Sequence, residues 1–232
     1  MREHIYTIPV NEAFETAGDE CPFCKLYKKL EEDELTLILG ASMMESDIRI
    51  KTNEMGFCAL HYAKMMPRKN RLGQGLMLES HLDIVKKSIR KGGFLSFDKT
   101  AKPVKSIGRL EESCYICSRI ENNLEKMFDT AIWLFDKEKD FRTKFKNIKC
   151  FCLPHYSVLL ELSKRISKER SEELQKEAER IVNDCLDKLR SDVSWFCKKF
   201  DYRYESEPWG DSKDAIERSI KFLKGDITGD LS

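Results

Sequence analysis

Cys21-Pro-Phe-Cys24 is followed after 33 residues by Cys58-Ala-Leu-His61, and Cys114-Tyr-Ile-Cys117 is followed after 34 residues by Cys152-Leu-Pro-His155. These four tetrapeptides decide how the rest of the chain is read. An aromatic residue precedes the later cysteine in both copies, Phe57 and Phe151, and a tyrosine follows each histidine, Tyr62 and Tyr156. A frame that recurs with a period near 93 residues marks an internal duplication, which a single Cys-x-x-Cys would not. Three thiolates and one imidazole make a closed tetrahedral zinc site, and a two-residue gap lets one turn aim both side chains at the same ion. Two zinc ions are therefore expected. One would be held by Cys21, Cys24, Cys58 and His61, the other by Cys114, Cys117, Cys152 and His155, each set complete within its own repeat. Ligand binding in such sites contributes on the order of 10 kcal/mol to folding.

Other chemistries fit these residues less well. Cys-x-x-Cys pairs also occur as dithiols at helix N-termini, but that leaves both Cys-x-x-His elements unexplained. Iron–sulfur ligation usually asks for four thiolates or a Cys2His2 set. Nine cysteines are an odd number, and in a reducing compartment metal ligands and buried thiols are the readings that remain. Cys150 stands two residues before Cys152, where the first repeat has Gly56. It could replace Cys152 or act as a spare thiol, and the shared frame assigns ligation to Cys152. Cys185 falls on an apolar helix face, Cys197 flanks it, and both read as small core residues.

Working outward, Ile116, Ile120, Leu124, Met127, Ala131 and Leu134 recur at gaps of three and four, which predicts a helix from Cys114 to Phe135. Pro154 suits the first turn of a further helix running to Arg165. The first repeat places helices over 22–39 and 59–66. Gly73 and Gly75 open a connecting helix from about Leu76 to Arg90, which Gly92-Gly93 closes. Residues 93–106, containing Pro103, read as a loop or short extended piece. The strongest helical signal runs through Leu174, Ala178, Ile181, Cys185, Leu189, Val193, Phe196 and Phe200. Asp211 and Asp214 can cap a final helix with Ala215, Ile216, Ile220 and Leu223. Between these last two helices, Tyr202, Tyr204 and Trp209 either pack over the core or, with Arg203, Glu205 and Glu207, line a recognition groove. His81 and His4 read as structural or surface histidines. The fold class is thus mostly α, with duplicated helical zinc-binding units at 1–92 and 93–165 and a long-helix extension at 166–232.

Composition bounds the function. Forty-one Lys and Arg against forty Asp and Glu leave +1 over 232 residues, which gives no overall electrostatic case for nucleic acid or an anionic membrane. Clustering of Lys86, Lys87, Arg90, Lys91, Lys99, Lys102 and Lys105 on one face would reopen the nucleic-acid reading. No stretch has the length and apolarity of a signal peptide or membrane span, so a cytoplasmic protein is expected. HExxH, a phosphate-binding Gly-rich loop and a nucleophile elbow are all missing. A structural or protein/peptide-interaction module is favoured, with a homodimer compatible with the amphipathic C-terminal helices. The alternative is a zinc-dependent hydrolase or a thiol-redox enzyme.

The paired Cys21-Pro-Phe-Cys24 and Gly56-Phe-Cys-Ala-Leu-His61 elements, their second copy, and Lys199-Phe-Asp-Tyr-Arg203 leading to the Trp-Gly turn together resemble one known family. It is an uncharacterised bacterial family of the Firmicutes type, unknown-function family number 6062. The resemblance covers nearly the whole chain, supports the repeat and implies no established activity.

Overall fold

The computed structural model describes residues 5–89 and 100–226. His4, Arg90, Lys91, Lys99 and the Gly92-Gly93 pair lie outside them. The described residues are helical, with short 3-10 turns at Ala41–Met44, Tyr202–Tyr204 and Gly210–Ser212. The helices are α1 (Thr7–Glu15), α2 (Pro22–Leu39), α3 (Ser46–Met55), α4 (Ala59–Met65), α5 (Arg71–Ser88), α6 (Ala101–Glu112), α7 (Tyr115–Lys137), α8 (Lys139–Lys146), α9 (Leu153–Ser163), α10 (Lys168–Lys198) and α11 (Ala215–Lys224). No helix among them is long and apolar enough to cross a membrane.

Helices α2, α4, α7 and α9 fall where motif and periodicity put them. Pro22 takes the first position of α2, where its missing N–H has no intrahelical partner to lose. Along α7 the apolar row is buried at Ile116, Ile120, Met127, Ala131 and Leu134. Along α10 burial holds through Leu174, Ala178, Ile181 and Leu189, then fades to an exposed Phe200 beyond the helix end.

Three expectations change. Residues 101–106 are not a loop, because α6 begins at Ala101 and Pro103 sits in its first turn, where proline is tolerated. Helix α5 opens at Arg71 rather than near Leu76, with the Asn70 side chain accepting from the Gly73 N–H at 2.8 Å. Gly73 falls inside the helix, at a position where a Cβ would run into the Met43 and Asn70 side chains. On α11 the buried residues are Ala215 and Phe222, whereas Ile216, Ile220 and Leu223 are exposed.

Two compact units emerge. One gathers the chain up to Lys29 and from Leu124 onward; the other is Leu30–Asn123. In the first, α10 packs on α8, α9 and α11, and α1 packs on α8. Its centre is a phenylalanine cluster in which Phe23 stacks on Phe128 at 3.8 Å, and Phe14 touches Phe23, Phe141, Phe145 and Phe151. Such ring pairs add about 0.5–1.5 kcal/mol each beyond area burial. In the second unit α5 packs on α3 and α6.

Candidate metal centres

The eight candidate ligands gather into two clusters, but the partners are exchanged relative to the sequence expectation. Site A contains Cys21, Cys24, Cys152 and His155, and site B contains Cys58, His61, Cys114 and Cys117. Each Cys-x-x-Cys thus meets the Cys-x-x-His of the other repeat. Site A lies wholly in the first unit and site B wholly in the second.

Local structure aims the ligands alike in both sites. Cys58 and Cys152 occupy the N-cap positions of α4 and α9 with nearly the same backbone, φ −71°, ψ 164° and φ −70°, ψ 154°. Neither thiol caps its helix. Each is turned to its own i+3 histidine, with Sγ to Nδ1 distances of 3.2 Å in site B and 3.1 Å in site A. On the opposite side, Cys114 stands just before α7 and Cys117 in its first turn, and Cys114 Sγ accepts from the Cys117 N–H at 3.5 Å.

The distances test the fit to an ion. A tetrahedral ion with bonds of about 2.3 Å to sulfur and 2.0–2.1 Å to nitrogen sets S–S edges near 3.8 Å and S–N edges near 3.6 Å. In site A, Cys24 and Cys152 sulfurs are 3.5 Å apart, and His155 Nδ1 is 3.6 Å from Cys21 and 3.5 Å from Cys24. In site B, Cys58 and Cys117 sulfurs are 3.9 Å apart, and His61 Nδ1 is 3.3 Å from Cys114 and 3.4 Å from Cys117. All four donor atoms of each cluster lie within 4.8 Å of one another. Both clusters are geometrically suited to metal coordination.

The surroundings of the two sites differ. Behind His61, Glu31 Oε1 from α2 lies 3.2 Å from Nε2, and Glu31 Oε2 pairs with Lys64 Nζ at 2.6 Å. His61 Nε2 and Glu31 Oε1 are both buried, and despite that separation neither makes a conventional hydrogen bond. An imidazole that gives Nδ1 to an ion keeps its proton on Nε2, the nitrogen that faces this carboxylate. Burial would raise the Glu31 carboxyl, but the His61 and Lys64 contacts outweigh it and hold it below its ordinary range. Sequence reading missed Glu31. Its signal was a glutamate beside Leu30, Leu35 and Ile38 on the buried side of α2, one of two buried there with Glu34.

Among the described residues, no such carboxylate stands against the histidine of site A. His155 packs beside the stacked Phe23 and Phe128 rings, with centroids 5.9 and 5.7 Å away, and burial lowers it to about 4. It therefore stays neutral, as a ligand must. Burial pushes Cys21 up to about 12. For Cys24 and Cys152 one neighbouring thiol pulls the value down, but the other thiol and burial outweigh it, and both rise to about 12. In site B burial works against His61, yet the Cys114 and Glu31 contacts raise it to about 10. Burial likewise opposes Cys114, which His61 draws down to about 6. Without an ion these two groups form a thiolate–imidazolium pair, and an ion must displace the imidazolium proton.

The remaining thiols depart from expectation. Cys150 and Cys185 are joined in a disulfide, so Cys150 is not a spare thiol and Cys185 is not a free core thiol. Cys185 is half-buried, and Cys197 is exposed rather than part of the core. His81 is the structural residue expected: its Nδ1–H donates to the Asn53 carbonyl at 2.7 Å, and its ring fills the space a Cβ at Gly56 would take. Gly56, at φ +61°, shapes the chain just before Cys58, and its carbonyl accepts from the Tyr115 N–H at 3.0 Å. That bond ties the two ligand-bearing turns of site B together.

No curated protein and no solved structure is matched by the chain. Residues 1–230 match DUF6062, a family of unknown function, and with its two Cys/His clusters the chain belongs to that family.

Proposed function

We propose that this is a cytoplasmic helical protein whose two sites each hold one zinc ion as a structural staple, leaving its surface to bind a protein or peptide. The convergence of three sulfurs and one imidazole nitrogen, twice over, carries the reading. Four protein donors complete a tetrahedral shell and leave no position for water or substrate, which favours a staple over a hydrolase. The purified chain is expected to contain two zinc equivalents and to lose cooperative thermal unfolding when a strong chelator removes both. Metal analysis beside calorimetry tests this; a chain that folds equally well with neither ion would defeat it.

Exposed apolar side chains support the partner-binding half of the proposal. Leu72, Leu78 and Leu82 on α5 and Val104 and Ile107 on α6 all stand open to solvent. Sedimentation of the parent beside a Leu72→Glu/Leu82→Glu variant shows whether that face pairs with a second copy.

A further inference from the structure

The Cys150–Cys185 disulfide occupies a particular place relative to site A. Cys150 lies two residues before the ligand Cys152, and Cys185 lies on α10. The ring closed by the disulfide therefore contains both Cys152 and His155, half of site A. Cys21, Cys24, Cys150, Cys152 and Cys185 all line one cavity of about 1080 Å³.

Comparison of the two sites shows a difference at this position. In site B the Gly56 carbonyl accepts from the Tyr115 N–H, joining the turn before Cys58 to the turn that carries Cys114 and Cys117. In site A the residue corresponding to Tyr115 is Pro22, which has no N–H to donate. The residue corresponding to Gly56 is Cys150. Where site B has a backbone tether between its ligand turns, site A cannot form one, and its ligand loop is fastened to α10 through sulfur instead. A hydrogen bond holds in any redox state; a disulfide holds only while oxidised.

We propose that Cys150–Cys185 is a thiol-exchange site opened by small thiols entering this cavity, and that its opening loosens the hold of site A on its ion. The inference rests on the reading of site A as a metal centre. In the exchange a thiolate bonds to one protein sulfur, and the S–S electron pair leaves on the other, which takes a proton. A second thiol attacks the mixed disulfide and releases the remaining cysteine. Two small thiols become one small disulfide, and the protein gains two electrons and two protons. Both cysteines are only half-buried and line the cavity, so a small thiol has a path to them. The eight candidate ligands stay in their clusters, and site B, which keeps its own tether, is unaffected.

The test uses the zinc-loaded chain. One portion is treated with millimolar glutathione, which is then removed, and both portions are alkylated for mass spectrometry and challenged with a chromogenic chelator. Treated protein is expected to show Cys150 and Cys185 newly modified and to release one of its two ions on the order of tenfold faster, the other at its former rate. A Cys185→Ser variant should release that ion quickly with or without glutathione; should it fail to fold, the two portions of parent decide alone. Equal release from treated and untreated parent with two ions bound, or a disulfide that survives glutathione, would overturn the proposal and leave the zinc reading standing. A chain that holds no zinc would fail the zinc reading first and take this inference with it.

Discussion

Glu31 shows how much one carboxylate can do for a metal ligand it never replaces. It faces His61 Nε2 from α2 while Lys64 holds its other oxygen, so it fixes which imidazole nitrogen is free for an ion. Glu31→Ala is expected to weaken site B for zinc by about 10- to 100-fold with site A unchanged. Competition against a chelator of known affinity, read as two separate release steps, measures this. At site A the decisive groups are the three thiols near pH 12. They are protonated at neutral pH without an ion and ionised with one, so loading releases about three protons per ion. Affinity consequently falls as pH falls, on the order of a thousandfold per unit between pH 8 and 7. A pH indicator in weak buffer during zinc addition counts the protons, and fewer than one at site A would contradict the account.

Among the elements, the segment between α10 and α11 is organised by Lys199. Its side chain is buried, and its ammonium donates to the carbonyls of Tyr204, Glu205 and Glu207 at 2.6, 2.9 and 2.6 Å, 5.4 Å from the centre of the Trp209 ring. Trp209 also touches Phe196 and Phe200, whereas Arg203 is exposed and pairs with Asp201 two residues away. Packing therefore accounts for Trp209 better than a recognition groove does. Lys199→Met should cost about 2–4 kcal/mol by leaving three carbonyls without their donor, and hydrogen exchange should quicken across 202–212. An unchanged melting curve would mean that water satisfies those carbonyls equally well. The lysine was not legible in the sequence because its acceptors are backbone atoms, which carry no residue signature. Helices were legible wherever one face is apolar, as along Ile116 to Leu134. Helix α6 was not, because Pro103 was read as a breaker when it stands in a first turn. The disulfide was missed for a different reason: a rule about compartments does not say which two side chains meet.

For the molecule as a whole, the ligand residues could be read from spacing but their pairing could not. The two Cys-x-x-Cys elements are chemically interchangeable, as are the two Cys-x-x-His elements, and nothing local distinguishes a site closed within a repeat from one closed across repeats. Double variants separate the arrangements. Cys58→Ser with Cys114→Ser should remove one zinc equivalent, because both belong to site B. Cys21→Ser with Cys58→Ser should remove both. Pairing within repeats would give the opposite counts, and metal analysis of the two proteins decides. The crossed pairing also sets an order on synthesis. Site B has all its ligands once Cys117 has emerged, but site A waits for His155. At roughly 5–20 residues per second, Cys21 and Cys24 spend on the order of ten seconds or more on the nascent chain with no partner motif of their own. Cys58 and His61 emerge during that wait and offer a complete but wrong set of four. A chain that closed this set first would have to surrender the ion before it could finish folding, so free zinc at the ribosome should slow maturation rather than speed it.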